Sequence, residues 1–378
     1  MSSVRSGLPA AGVGKWCCTC PSPGPSPSST AVRRAPPRTG AREADGTGRW
    51  ARNRAPPAGP ALRPDVTRAL GTGTAARKEP APDRSGGGRR TGMDELERIA
   101  AAFPGLTWSR ARRITEGWDH VVVVLDEALV FRFPQEAPYA QALGREIAVL
   151  DHLAPRLPVR IPRYDRVAPD GSFAGYPLLP GRTLQPEVLA SLDGTARDAL
   201  VDQLAGFLSA LHTAPVPGTP LEQVPASFLA EDQDDVRSAA AVHLPAALTP
   251  AELDEVARIL ADVDALLAAD LPEVVVHNDV YSRHLLWDDD DARLGVIDFS
   301  DMCVGDPAVD FAELHEYGED FVRAVHERYT GPRDPGLLDR AWTYQRWIGV
   351  YMLTDHFDVG KTTWEVARET FDRVRRGR

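Results

Sequence analysis

The pattern of apolar and polar positions is most informative at residues 121–133, which read VVVVLDEALVFRF, two apolar stretches separated by a polar pair. Two stretches rich in β-branched and aromatic residues flank Asp126 and Glu127, which predicts a β-hairpin. Residues 116–120, just before the first stretch, are expected to form a turn. Beyond the hairpin, apolar residues recur with the spacing of one helix face at Leu143, Ile147, Leu150 and Leu153. Residues 176–181 then predict a strand that runs into a stiff connector.

After Gly181 the apolar pattern becomes helical. One stripe comprises Leu200, Leu204, Phe207, Leu208 and Leu211, and a second runs from Leu253 to Leu267. Short strands are predicted at 274–276, 284–287 and 294–297, followed by a mostly helical segment at 305–378. The pattern predicts an α+β fold of two lobes, a small β-rich lobe at 93–180 and a larger helical lobe at 181–378.

The first 92 residues follow a different pattern. They hold 16 Arg or Lys against 5 Asp or Glu, and 27 of them are Pro or Gly. With almost no periodic apolar positions, this segment cannot bury enough surface to offset its ordering entropy, so we expect it to be disordered. The helix-like sequence that begins at Met93 leaves open that the true start lies there and that 1–92 is a translated leader.

Composition narrows the functional classes. The chain has a net charge of −11, and residues 93–378 alone hold 27 basic against 49 acidic residues, a net −22. This acidity argues against a nucleic-acid-binding protein, and no apolar run reaches the length of a membrane span. The four cysteines, three of them crowded at Cys17, Cys18 and Cys20, form no disulfide framework and favour a reducing compartment.

Candidate chemistry concentrates at residues 277–311, which contain HNDVYSRHLL, VIDFSD and GDPAVDF. Asp279 follows a predicted strand directly, His284 precedes the next strand, and Asp298 ends the third. Two carboxylates and an imidazole are therefore expected at neighbouring strand ends. Phosphoryl transfer from a nucleotide requires such a set, because one carboxylate accepts the proton of the acceptor hydroxyl while other ligands hold Mg²⁺ on the phosphates.

The order of these residues follows the protein-kinase pattern, HRD-x-x-x-x-N and then DFG. Two positions differ. His284 replaces the Asn, although Mg²⁺ prefers oxygen ligands, and Ser300 replaces the Gly, which removes some backbone freedom. The competing class is a non-catalytic nucleotide-binding protein of kinase fold. Such a protein would be expected to lose Asp279, His284 or Asp298, and all three are present.

These motifs resemble those of the aminoglycoside phosphotransferase family, and most closely those of the aminoglycoside 2''-phosphotransferases. The resemblance extends over 93–378 and includes VFRFPQ, GREIAVL and FLSALH. It implies a two-lobed, protein-kinase-like fold, with Asp279 as the catalytic base and His284 and Asp298 as Mg²⁺ ligands. It also implies that His277 and Asp310 support the catalytic loop.

A kinase usually places a lysine on its third strand and pairs it with a helix glutamate. This chain has only Lys15, Lys78 and Lys361, all far from the hairpin. Arg132 occupies the strand position and Glu146 lies on the following helix. Because arginine can hold phosphate oxygens bidentately, we expect this pair to serve the nucleotide phosphates. The alternative is an ordinary surface ion pair.

The connector is compatible with binding of a nucleotide base. If Tyr176 is the gatekeeper, Pro177 supplies a backbone carbonyl and Leu179 a backbone N–H to the base of ATP or GTP. Proline has no backbone N–H, but the base needs only a carbonyl from position 177, so a proline there is compatible with binding. The loop at 116–120 would cover the phosphates, although it contains one glycine and no GxGxxG motif.

Acceptor identity depends on acidic residues. Aminoglycosides are polycations, so their site should be acidic, and Asp301 and Glu316 fall where the 2''-phosphotransferases place acidic substrate residues. An aromatic wall of Trp347, Tyr351 and Trp364 would suit a macrolide instead, and a small amino alcohol is a third option. The expected protein is a monomeric cytoplasmic enzyme that inactivates an antibiotic, with no nucleic-acid or membrane partner.

Overall fold

The computed structural model describes residues 91–114, 120–360 and 362–377. The predictions for residues 1–90 and for the loop at 115–119 lie outside the described residues. The first lobe comprises α1 (Thr91–Ala102), β1 (Ala111–Ile114), β2 (His120–Leu125), β3 (Leu129–Pro134), α2 (Ala137–Leu153), β4 (Arg166–Val167) and β5 (Ala174–Pro177). Its strands form one antiparallel sheet in the order β1-β2-β3-β5-β4.

The predicted hairpin is confirmed by β2 and β3. Asp126 and Glu127 adopt positive φ angles of 48° and 51°, and the Ala128 N–H donates to the Leu125 carbonyl at 2.9 Å, which closes a tight turn between the strands. The sequence places His120 in the preceding turn, and this prediction is wrong. Residue 120 is the first residue of β2 and is paired with Pro134, because β3 extends far enough to give it a partner.

Side-chain alternation divides the sheet into two faces. One face packs against α1 in a small core made of Ile99, Val123, Leu125, Phe131, Phe133, Ala168 and Phe173. The opposite face carries Val122 and Arg132, which are paired across β2 and β3. The two phenylalanines that flank Arg132 therefore anchor β3 in the core, while the arginine itself is directed to the other side of the sheet.

The second lobe is mostly helical, as predicted. Its elements are β6 (Arg182–Thr183), α3 (Pro186–Ser191), α4 (Gly194–His212), α5 (Leu229–His243), α6 (Pro250–Leu267), β7 (Val274–Val276), β8 (Leu285–Asp288), β9 (Arg293–Val296), β10 (Cys303–Gly305), α7 (Val309–Ala312), α8 (Glu319–Arg328), α9 (Leu337–Asp358) and α10 (Trp364–Arg375). Strand β7 coincides with the prediction, and β8 and β9 differ from it by one residue.

Two small antiparallel sheets hold the loops that carry the candidate chemistry. Strand β7 pairs with β10, and β8 lies between β6 and β9. The segment 277–284 therefore connects two different sheets, and Asp298 lies two residues beyond the end of β9. This topology confirms the expectation that these polar residues lie at neighbouring strand ends.

The long helix α9 lies in the core of this lobe. Trp347 has no exposed surface, and its indole Nε1 donates a hydrogen bond of 2.7 Å to Gln233 Oε1 on α5. An aromatic wall built on Trp347 is therefore wrong, because this side chain is a core residue. Among the described residues, no helix is both long and apolar enough to cross a membrane.

Candidate active site

A cavity of about 250 Å³ lies between the sheet of the first lobe and two parts of the second lobe, strand β8 and the segment that follows β9. Its lining is largely apolar and includes Ile114, Val122, Val124, Val130, Leu286 and Ile297. Arg132 and Asp298 add opposite charges to this lining. The predicted base-binding segment borders the cavity through Tyr176 and Leu179, and Pro177 lies between them at the end of β5, paired with Leu129.

Arg132 is buried in a network rather than in a surface pair. Its Nη1 atom donates to both carboxylate oxygens of Glu146, at 2.8 and 3.0 Å, and to the Tyr164 hydroxyl at 3.2 Å. Its Nη2 atom donates to Asp298 Oδ1 at 3.1 Å and lies 3.2 Å from His120 Nδ1. Because the Arg132 and Glu146 side chains are only 6% and 3% exposed, the surface-pair interpretation is wrong.

The charge of this arginine is secured by its surroundings. Burial by itself would lower the pKa of Arg132, but the neighbouring Glu146, Tyr164 and Asp298 raise it well above its usual value. A buried charge is tolerated only where it is paired and hydrogen-bonded. The arrangement therefore maintains a permanent cation on the wall of the cavity.

Asp310 holds the backbone of the candidate catalytic loop, residues 277–284. Its Oδ2 accepts the N–H of His277 at 2.9 Å and its Oδ1 accepts the N–H of Asn278 at 2.7 Å. Asn278 has a φ of 66°, a left-handed conformation that asparagine tolerates better than most residues. These bonds fix the turn that directs Asp279 away from the end of β7. The predicted supporting position of Asp310 therefore has a direct geometric basis.

A second group of residues holds Asp310 in turn. His212, the last residue of α4, places its Nε2 atom 2.9 Å from Asp310 Oδ2 and its Nδ1 atom 2.8 Å from the Tyr329 hydroxyl. The sequence analysis includes His212 only as the last residue of the FLSALH motif. The signal that could have indicated this contact is a polar residue that closes an otherwise buried helix face.

Asp279 and His284 lie in direct contact. Asp279 is 2% exposed, and His284 Nδ1 lies 3.0 Å from its carbonyl oxygen and 3.1 Å from its carboxylate Oδ2. The carbonyl oxygen can only accept, so Nδ1 donates to it. The opposite nitrogen, Nε2, lies 3.4 Å from Asp298 Oδ2.

This pair of electron donors fits a magnesium site. When the His284 ring is neutral, its Nε2 atom and Asp298 Oδ2 are two ligand atoms 3.4 Å apart, close enough to bind one cation together. In residues 91–114, 120–360 and 362–377, no group of three or more His, Cys, Asp or Glu side chains is arranged to hold a metal ion. Two protein ligands suit Mg²⁺, which is commonly completed by water and substrate phosphates.

Asp298 is fixed by two further features. Its φ of 64° is left-handed, a strained conformation of the kind that concentrates at functional sites. Its Oδ1 accepts a hydrogen bond of 2.9 Å from the Ser300 hydroxyl. Ser300 was expected only to reduce backbone freedom, and this expectation missed its contribution as a donor that orients the carboxylate.

Acidic side chains crowd beside the catalytic loop. Burial first, and then Asp279, Glu316 and Asp301, raise the pKa of Glu313 well above its usual value. Glu316 accepts the backbone N–H of Ser282 at 2.5 Å, and burial raises the pKa of Glu316 to about 7. The sequence analysis did not identify Glu313. Among the charged groups that raise its pKa, Asp279 has the largest effect.

The two predicted substrate residues differ in position. Asp301 is 2% exposed, and its negative charge contributes to the raised pKa of Glu313. The Glu316 carboxylate instead accepts the Ser282 N–H and so helps to hold residues 277–284 in place. Such a concentration of carboxylates is costly without a counter-charge. A cation that docks beside Asp279 would relieve this repulsion.

One known protein family matches the sequence of this chain. Residues 110–343 match the model of a family described as the phosphotransferase enzyme family. A viomycin phosphotransferase from Streptomyces vinaceus is 30% identical over 154 residues, which cover 39% of this chain and 51% of that protein. The chain thus spans about half the length of this curated relative.

Solved structures share the fold. An aminoglycoside 2''-phosphotransferase in complex with GDP and kanamycin superposes with a TM-score of 0.66 at 24% identity, over 75% of this chain and 98% of that one. A type I macrolide 2'-phosphotransferase gives a TM-score of 0.53 at 24% identity, over 75% and 96% of the two chains. These likenesses confirm the two-lobed, protein-kinase-like α+β architecture.

Proposed function

The chain belongs to the phosphotransferase enzyme family, and from this premise we propose that it transfers the γ-phosphate of ATP or GTP to a hydroxyl group of a cationic, aminoglycoside-like small molecule. The observation that carries this proposal is the convergence of Asp279, His284 and Asp298 beside a cavity whose wall holds a buried cation. Inactivation of an antibiotic is the proposed role, in the cytoplasm, where nucleoside triphosphates are available.

The proposed division of labour follows the two lobes, 93–180 for the nucleotide and 181–378 for catalysis and the acceptor. The base lies in the apolar cavity and bonds to the Pro177 carbonyl and the Leu179 N–H. Arg132, held by Glu146, faces the phosphates. Support comes from the position of this cation on the cavity-facing side of the sheet.

In the proposed reaction, Asp279 accepts the proton of the acceptor hydroxyl as its oxygen attacks the γ-phosphorus. The new O–P bond forms while the bond from the γ-phosphorus to the β-bridging oxygen breaks, and the nucleoside diphosphate leaves. Mg²⁺ held by His284 and Asp298 would offset negative charge on the phosphates. Asp310 and His277 keep the loop in place throughout.

The acceptor is proposed to be cationic because the acidic cluster needs a counter-charge. Asp301, Glu313 and Glu316 lie close to the catalytic carboxylate; burial first, and then the neighbouring charges, raise the pKa of Glu313. Viomycin joins aminoglycosides as a candidate through the name of the curated relative. A macrolide is less favoured, because Trp347, one of the three residues of the aromatic wall that would suit it, is buried in the core.

The test is an acceptor screen with the full chain. ATP or GTP labelled in the γ-phosphate is incubated with Mg²⁺ and, separately, kanamycin, viomycin, a macrolide or a small amino alcohol. We expect label in a cationic acceptor. Transfer to the macrolide alone would contradict the proposed acceptor class. Nucleotide binding without transfer to any acceptor would favour the non-catalytic alternative, a nucleotide-binding protein of kinase fold.

A further inference from the structure

His120 lies on the cavity-facing side of the sheet. It is the first residue of β2, and alternation places it on the same face as Val122 and Val124, which line the cavity with it. The residue is only 4% exposed. A histidine here is unexpected on packing grounds, because the equivalent positions further along this face are valines.

The direction of its bond to Arg132 is fixed by chemistry. A guanidinium group has only donors, so the contact of 3.2 Å between Arg132 Nη2 and His120 Nδ1 requires that Nδ1 accept. The ring proton then resides on Nε2. His120 therefore serves Arg132 as a neutral acceptor and adds no second positive charge to the site.

Arginine at this position needs more acceptors than lysine would. Its fork of five N–H groups is rigid and planar, and a buried donor without an acceptor is costly. Glu146 and Tyr164 serve Nη1, and Asp298 and His120 serve Nη2. Of the two acceptors on Nη2, Asp298 is also a proposed metal ligand.

We propose that His120 is a positioning residue that acts through Arg132. Its Nδ1 atom accepts a hydrogen bond from Nη2 and so holds the guanidinium in the orientation that meets the nucleotide phosphates. An arginine can therefore take the place of the lysine that kinases usually have at this position. This inference rests on the proposed phosphotransferase function. It adds a residue that the kinase pattern does not include, because that pattern provides for a lysine.

Three substitutions separate the two ring nitrogens. In His120→Asn the amide oxygen replaces Nδ1 as the acceptor for Arg132. In His120→Gln the amide reaches the position of Nε2 and leaves Arg132 without its acceptor, and His120→Ala removes both. Substitutions of His243, a half-buried histidine on α5 paired with Asp358 at 3.1 Å, to Asn and Gln serve as matched controls.

The readout is the dissociation constant for Mg-ATP and Mg-GTP, and for adenosine and guanosine, measured by calorimetry on the full chain. Thermal unfolding of each variant reports its stability. We expect His120→Gln and His120→Ala to weaken triphosphate binding about tenfold, the size of one charge-assisted hydrogen bond. His120→Asn should stay within about twofold of the original chain, and nucleoside binding should not change in any variant.

Three results would overturn the inference. If His120→Gln retains triphosphate binding and His120→Asn loses it, His120 contacts the nucleotide directly through Nε2. Equal weakening of nucleoside and triphosphate binding would indicate a structural effect only, and unchanged triphosphate binding in all variants would remove the role. If the original chain binds no Mg-nucleotide at all, the proposed function fails; if it binds and transfers phosphate, only the role of His120 is at issue.

Discussion

Replacing Glu146 by alanine should destabilise the protein strongly, because it leaves Arg132 charged and buried. The pair is joined at 2.8 Å with side chains 6% and 3% exposed, and the Tyr164 hydroxyl loses an acceptor at 2.9 Å in the same step. Removing one partner of a buried pair costs about 3–5 kcal/mol. That is a large share of the roughly 5–15 kcal/mol by which a typical domain is stable.

The assay is urea unfolding at neutral pH, and a double variant sharpens it. Arg132→Met combined with Glu146→Leu removes both charges, so most of the stability should return, while triphosphate binding should stay weak. A matched surface control is Asp289→Ala, which breaks a pair with Arg182 whose side chains are 49% and 51% exposed and should cost less than about 1 kcal/mol. The reasoning is refuted if Glu146→Ala costs no more than this control.

The remaining predictions concern pH and the catalytic loop. Arg368 lowers the pKa of Glu252 to about 2, so the chain should lose about 1–2 kcal/mol relative to Glu252→Gln as pH falls from about 4.5 toward 2; urea unfolding across this range measures it, and parallel pH profiles would contradict it. Burial raises the pKa of Glu316 to about 7, so Glu316→Gln should gain about 1–2 kcal/mol over the original chain as pH rises from about 5 to 8; no gain in thermal unfolding would count against it. Asp310→Asn weakens the acceptor for the His277 N–H and should reduce kcat about 10- to 100-fold with nucleotide affinity unchanged; a reduced affinity in calorimetry would argue otherwise.

Local pattern predicts most of the fold. The hairpin at 121–133 is fixed by residues adjacent in sequence, since two acidic residues in a left-handed turn separate strands of β-branched residues. Because successive side chains of a strand point to opposite faces, Arg132 lies on the other face of the sheet from Phe131 and Phe133. Short strands around the catalytic loop were located within one residue, because each is a brief apolar run that ends at a polar motif.

The contacts that complete the candidate site escape such reasoning. Tyr164 meets Arg132 across 32 positions and Asp298 meets it across 166, and no periodicity connects residues so far apart. The sequence places His120 in a turn because it lies between Ile114 and the first apolar stretch, and its pairing with Pro134 joins residues 14 positions apart. Glu313 acquires its significance only when the chain brings it beside Asp279. These contacts depend on how the lobes pack rather than on local propensity.

The most direct test of the central claim compares the full chain with Asp279→Asn. Once an acceptor is found, the rate of γ-phosphate transfer should fall about 10²- to 10⁴-fold, the usual contribution of a general base. The dissociation constant for Mg-nucleotide should remain nearly the same, since the bonds from Asp310 to the loop backbone are retained. Transfer by Asp279→Asn at the original rate would contradict the account.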